Sequence, residues 1–70
     1  MKVELQGKKV RQILAKRNLS QNGLALKLGT SSGYMSQLIR GVRNPSPQMR
    51  KKIQEVLKIE VFDDIFKLKG

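Results

Sequence analysis

The chain has no cysteine and no histidine. Without cysteine there is neither a disulfide nor a thiolate metal site. Without histidine the commonest metal ligand and the commonest general base are both missing. The only aromatic residues are Tyr34, Phe62 and Phe66, too few for a platform on which single-stranded bases stack. No apolar run approaches the ~20 residues that cross a bilayer, and the opening MKVELQG lacks the apolar core of an export signal. The expected location is the cytoplasm. The most informative gap is acidic. The carboxylates are Glu4, Glu55, Glu60, Asp63 and Asp64, so residues 5 to 54 contain none.

That acid-free stretch carries Lys8, Lys9, Arg11, Lys16, Arg17, Lys27, Arg40, Arg43, Arg50, Lys51 and Lys52, and the whole chain has a formal net charge of +10. A soluble surface with no charged partner intersperses both signs; this one suits a polyanion. Seventy residues is one domain, residues 1–70, and buries only ~60% of the surface its unfolded chain exposes. With no disulfide or metal to help, stability is expected from close helix packing or from a second copy of the chain.

Local signals divide the chain into short helices. In GKKVRQILAKR, residues 7 to 17, Val10, Ile13 and Leu14 form one apolar face. Asn18-Leu19-Ser20 breaks the pattern, and Ser20 is a good N-cap for a second helix, Gln21 to Leu28, which turns Leu24, Ala25 and Leu28 inward. Gly29 ends it as a left-handed residue. Ser31 caps a third helix that runs to about Arg40 and stops at Gly41. Ser46-Pro47 starts a fourth, with Met49, Ile53, Val56 and Leu57 on its inner side. VFDDIFKL, from Val61, suggests a last short helical turn, whose dipole accounts for Asp63-Asp64. Lys2 to Leu5 alternates weakly and reads as a strand or a frayed arm. The join Gly29-Thr30-Ser31 has the length and the glycine of a helix-turn-helix, in which two helices cross at ~90–120°. The small Ala25 permits close approach at that crossing.

The stretch SQNGLALKLGTSSGYMSQLIRGVRNPS resembles the helix-turn-helix of the Cro/C1-type (Xre-like) DNA-binding proteins. The matching positions are Ser20-Gln21, Leu24-Ala25, Gly29, Ser31, Met35-Ser36, Leu38, Arg40-Gly41 and Asn44-Pro45-Ser46. The resemblance extends from about Gly7 to Phe66. It implies an all-α, compact four- to five-helix lambda-repressor-like domain, with the helix-turn-helix at about residues 20–41. Two positions depart from the family pattern. Where many members have a glutamate closing a capping box, this chain has Gly23. Where many members have a largely buried arginine–glutamate pair, it has Leu14 and Ile39. Replacing both partners of a buried pair together is tolerated, whereas losing one is costly, so Leu14 and Ile39 are expected to touch.

The resemblance implies a small phage-type or bacterial transcriptional regulator, of repressor or Cro kind, that binds double-stranded DNA. Met35 and Leu38 anchor the third helix. Ser32, Gly33, Tyr34, Ser36 and Gln37 are the candidates for base contacts in the major groove, which admits a helix. Gln21, Arg40, Arg43, Asn44, Lys8, Lys9 and Arg11 are the candidates for phosphate contacts. Arg50, Lys51 and Lys52 read as diffuse positive field. No catalytic constellation, metal site or cofactor is expected. One reading helix covers few base pairs, so a homodimer on a palindromic operator is expected, with Ile59, Val61, Phe62, Ile65 and Phe66 as the candidate patch. The alternatives are an antitoxin, a restriction–modification controller or a nonspecific nucleic-acid binder; a membrane-surface helix is disfavoured because the basic residues are spread over several capped helices.

Overall fold

A computed structural model describes residues 1–70. In chain order it contains β1 (Lys2–Leu5), α1 (Gly7–Lys16), α2 (Gln21–Leu28), α3 (Ser32–Arg40), α4 (Pro47–Leu57), one 3-10 turn (Phe62–Asp64) and β2 (Phe66–Lys69). The three serine caps form as expected. Ser20, Ser31 and Ser46 each accept a hydrogen bond from the backbone N–H three residues on, at 2.9, 3.1 and 3.1 Å. Each such cap is worth ~1 kcal/mol, and Pro47 pre-sets the first turn of α4.

Gly29 and Gly41 end α2 and α3 in the left-handed region, at φ 70° and 79°. There the Thr30 N–H donates back to the Ala25 carbonyl and the Val42 N–H to the Gln37 carbonyl. These paired closures let α2 stop and α3 start within three residues.

The helices surround one core of Val10, Leu14, Leu24, Ala25, Leu28, Met35, Leu38, Ile39, Ile53 and Leu57, completed by Leu5, Ile65 and Phe66. No polar or charged side chain is buried in it. Leu14 and Ile39 are 4% and 5% exposed and belong to this core, on the helices α1 and α3 that pack together. The start of α1 lies so close to the end of α3 that a Cβ on Gly7 would overlap the Ile39 carbonyl oxygen.

The C-terminus departs from the sequence expectation. Val61 to Leu68 does not form a helix: after the 3-10 turn it becomes β2, antiparallel to β1 in the register Lys2↔Lys69, Val3↔Leu68, Glu4↔Lys67, Leu5↔Phe66. The fold is therefore four α-helices with a small two-stranded sheet. The cause is an alternation that both ends share. Val3, Leu5, Phe66 and Leu68 fall on one face, while Lys2, Glu4, Lys67 and Lys69 fall on the other. Gln6 secures the junction. Its backbone N–H donates to the Ile65 carbonyl, and its side-chain amide donates to the carbonyls of Asp63 and Phe66 at 2.9 and 2.8 Å.

This ending also corrects the candidate dimer patch. Ile65 and Phe66 are fully buried, because the end of the 3-10 turn and the start of β2 carry them into the core. Phe62 and Ile59 are half-buried against that core, and only Val61 is well exposed.

Candidate nucleic-acid interface

At 3.6 residues per turn, Met35, Leu38 and Ile39 define the inner side of α3. Gly33, Gln37 and Arg40, spaced i, i+4 and i+7, form a line on the opposite side, and all three are exposed. Ser36 and Ser32 flank that line on one side, and Tyr34 flanks it on the other. Tyr34 is half-buried and packs against the core at its inner edge. The Arg43 guanidinium stacks over its ring, 5.6 Å from the centroid. The stack draws Arg43, from the loop after α3, back along the helix toward its first turn. Cation–π pairs of this exposure are worth ~0.5–1 kcal/mol, enough to bias a mobile arginine toward one place. Sequence spacing alone did not reveal this pairing.

Around the opening turns of α2 and α3, backbone donors remain free. The first two amides of each helix have no carbonyl within the helix to bond. Neither first turn contains an acid, so each N-terminus keeps its partial positive charge. Gln21 is half-buried at the start of α2, beside the exposed Asn22. A Cβ on Gly23 would lie 2.8 Å from Leu19 Cδ1, the movable end of a flexible side chain, and 3.2 Å from Ser20 Oγ.

On the far side of α3, Lys8 and Lys9 of α1 line a shallow cleft of about 320 Å³ with Arg40 and Gly41. The fold thus brings three of the candidate phosphate contacts to the exit of α3. Arg11 is exposed on α1 but does not line that cleft, and Asn44 is exposed in the loop beyond α3. Glu4, the one acid nearby, also borders the cleft. Lys69 and Lys67 hold it at 3.1 and 3.6 Å. The hydrogen bond from Lys69, with the attraction of both lysines, keeps its carboxyl below the ordinary range.

The side chains of Gln21, Ser32, Ser36, Gln37 and Asn44 accept or donate no hydrogen bond within the protein. The surface thus combines a protruding helix, two open helix starts, unpaired polar groups and cations.

Residues 10–63 match the pattern of the HTH_3 (helix-turn-helix) family. The chain belongs to that family. It is similar to the HTH-type transcriptional regulator SlrR of Bacillus subtilis, with 38% identity over 79% of this chain and 37% of that protein. It is also similar to the control protein C.BamHI of Bacillus amyloliquefaciens, with 42% identity over 81% of this chain and 72% of that protein. The chain thus spans about a third of the first relative and nearly three quarters of the second. No solved structure is a significant match. In this helix-turn-helix protein α2 and α3 are the two helices of the motif, the second of which meets the major groove in motifs of this kind. No helix is long and apolar enough to cross a membrane.

Proposed function

We propose that the chain is a sequence-specific DNA-binding regulator, without catalytic activity, that acts as a homodimer on a palindromic site in bacterial or phage DNA. The carrying observation is the outward line of Gly33, Gln37 and Arg40 on a helix anchored by Met35 and Leu38. In this reading α3 lies in the major groove. Gln37 takes an adenine edge in bidentate fashion, and Ser32 and Ser36 make shorter contacts beside it. Gln21 and the open start of α2 hold a phosphate on one strand; Arg43, Asn44 and Arg40 hold the other, with Lys8, Lys9 and Arg11 at the margin. Cytoplasmic, nucleoid-associated action follows from the partner.

The dimer contact in this reading is Val61 with the exposed parts of Ile59 and Phe62, above the buried Ile65 and Phe66. Lys51, Lys58, Glu55 and Glu60 line a cleft beside Ile59, and none of them is in an ion pair. Charges of both signs around an apolar centre suit a two-fold partner presenting the same patch reversed. Val61→Asp is expected to lower the dimer fraction in sedimentation while leaving the helical circular dichroism intact.

A second reading, a restriction–modification controller, is favoured by the similarity over most of C.BamHI. Selection from randomised duplex DNA at two salt concentrations tests the main reading. A two-fold motif with half-sites ~34 Å apart supports it. Equal recovery of all sequences with a steep salt slope would replace it with nonspecific binding. Occurrence of that motif beside restriction and methylation genes would favour the controller.

A further inference from the structure

Of the glycines inside the chain, all but one have a neighbour that an added Cβ would touch or a left-handed φ. A Cβ on Gly7 would overlap the Ile39 carbonyl, and a Cβ on Gly23 would press on Leu19 and Ser20. Gly29 and Gly41 lie at positive φ. Gly33 differs. It sits in the first turn of α3 with ordinary helical dihedrals, and an added Cβ would meet no atom within 4 Å. Alanine would fit the free protein and favour the helix, since glycine loses more backbone entropy on folding than any other residue.

We infer that Gly33 is a specificity-determining residue whose missing side chain receives the 5-methyl group of a thymine. The inference rests on the reading that α3 occupies the major groove. Gly33 lies one helical turn before Gln37 on the same outward line, so it faces the base step next to the one Gln37 meets. The apolar feature on a major-groove base edge is the thymine methyl. An α-carbon without a side chain leaves a recess of about that size, and contact there costs no hydrogen bond. Gly33 therefore discriminates by fit: thymine fills the recess, and a base without the methyl leaves it empty.

The test crosses one substitution in the protein with one in the DNA. The duplex selected by the parent protein is resynthesised with each thymine replaced in turn by deoxyuridine, which deletes only the methyl. At one position the parent is expected to lose about fourfold in affinity, the worth of one buried methyl. At that same position Gly33→Ala is expected to reverse the sign. It binds the thymine duplex at least tenfold more weakly than the parent, and it recovers severalfold when the methyl is removed. Its melting temperature is expected to rise by ~2–5 °C, which excludes misfolding as the cause of weaker binding. Equal affinities of parent and Gly33→Ala for the thymine duplex would overturn the inference while leaving the major-groove reading intact. So would a loss in the variant that is the same on every thymine and deoxyuridine duplex. If the parent selects no motif at all, the major-groove reading fails and this inference falls with it.

Discussion

The two ends of the molecule use their polar side chains in opposite ways. At the closed end, β1, β2 and the 3-10 turn turn their polar groups inward on each other. Gln6 bonds two carbonyls, Gln54 bonds the carbonyl of Glu60, and Glu4 holds Lys67 and Lys69. At the open end, around the starts of α2 and α3, the serine caps are the only side chains with internal hydrogen bonds, and the row that protrudes makes none. The same contrast runs through the charge. Every acid of the chain lies in β1 or from Glu55 onward. A group hydrogen-bonded inside the protein must be freed before it can bind anything else, and its loss destabilises the fold. A group bonded only to water exchanges one partner for another. The contrast therefore predicts that substitutions at the closed end change stability, while those at the open end change DNA binding.

The largest effect expected lies beneath both ends, where α1 meets α3. Leu14→Arg places a charge without a partner among Val10, Leu38 and Ile39, at a cost of ~3–5 kcal/mol measured by urea unfolding. Adding Ile39→Glu should recover part of that loss. A Leu14→Arg protein as stable as the parent would show that the site is not closed. Next is Gly7→Ala, which drives a methyl group into the Ile39 carbonyl and should cost ~1–3 kcal/mol by the same measurement.

At the open end the changes are expected in binding at constant stability. Gln37→Ala should relax the selected motif at one base pair, at ~1–3 kcal/mol, while Arg43→Ala weakens all sequences alike and reduces the salt slope by ~1. Tyr34→Leu removes the surface that holds Arg43 and should resemble a partial Arg43→Ala. If Tyr34→Leu leaves binding unchanged, the stack does not organise the loop.

The smallest effect is at the sheet. The carboxyl of Glu4 is held below its ordinary range in the folded chain. Its contribution to stability is therefore complete above the pKa of the unfolded carboxyl and disappears as pH falls through the lower folded value. The melting temperature of Glu4→Gln should thus lie slightly below the parent's at pH 7, and the gap should narrow as the pH is taken below the ordinary carboxylate range. Both lysine partners are exposed, so the gap should also shrink in high salt.

What could be read from the sequence followed the range of the interactions. The caps at Ser20, Ser31 and Ser46 and the glycine stops at Gly29 and Gly41 bridge a few residues each, and the local pattern disclosed them. The inward faces of α1 to α4 follow from helical spacing in the same way. The β1–β2 pair joins residues at opposite ends of the chain. Lys2 to Leu5 offered a strand as one of two readings, but its partner did not declare itself, because VFDDIFKL contains enough apolar residues to imitate a helix. For the same reason Ile65 and Phe66 could be read both as a patch and as residues that finish the core, and the sheet decides for the core. The Tyr34–Arg43 stack and the crowding at Gly7 and Gly23 likewise depend on how separate segments approach. The candidate contact residues were legible as positions on α3, while their contrast with the internally bonded closed end was not.

The division between the ends is tested most directly by following backbone amide resonances while the selected duplex is added to the protein. The account predicts large shifts at Gln21 and Asn22 and from Ser32 to Gln37, smaller ones at Arg43 and Asn44, and little change at Ile65, Leu68 and Lys69. Shifts concentrated on the sheet and the 3-10 turn, with α3 unmoved, would contradict it.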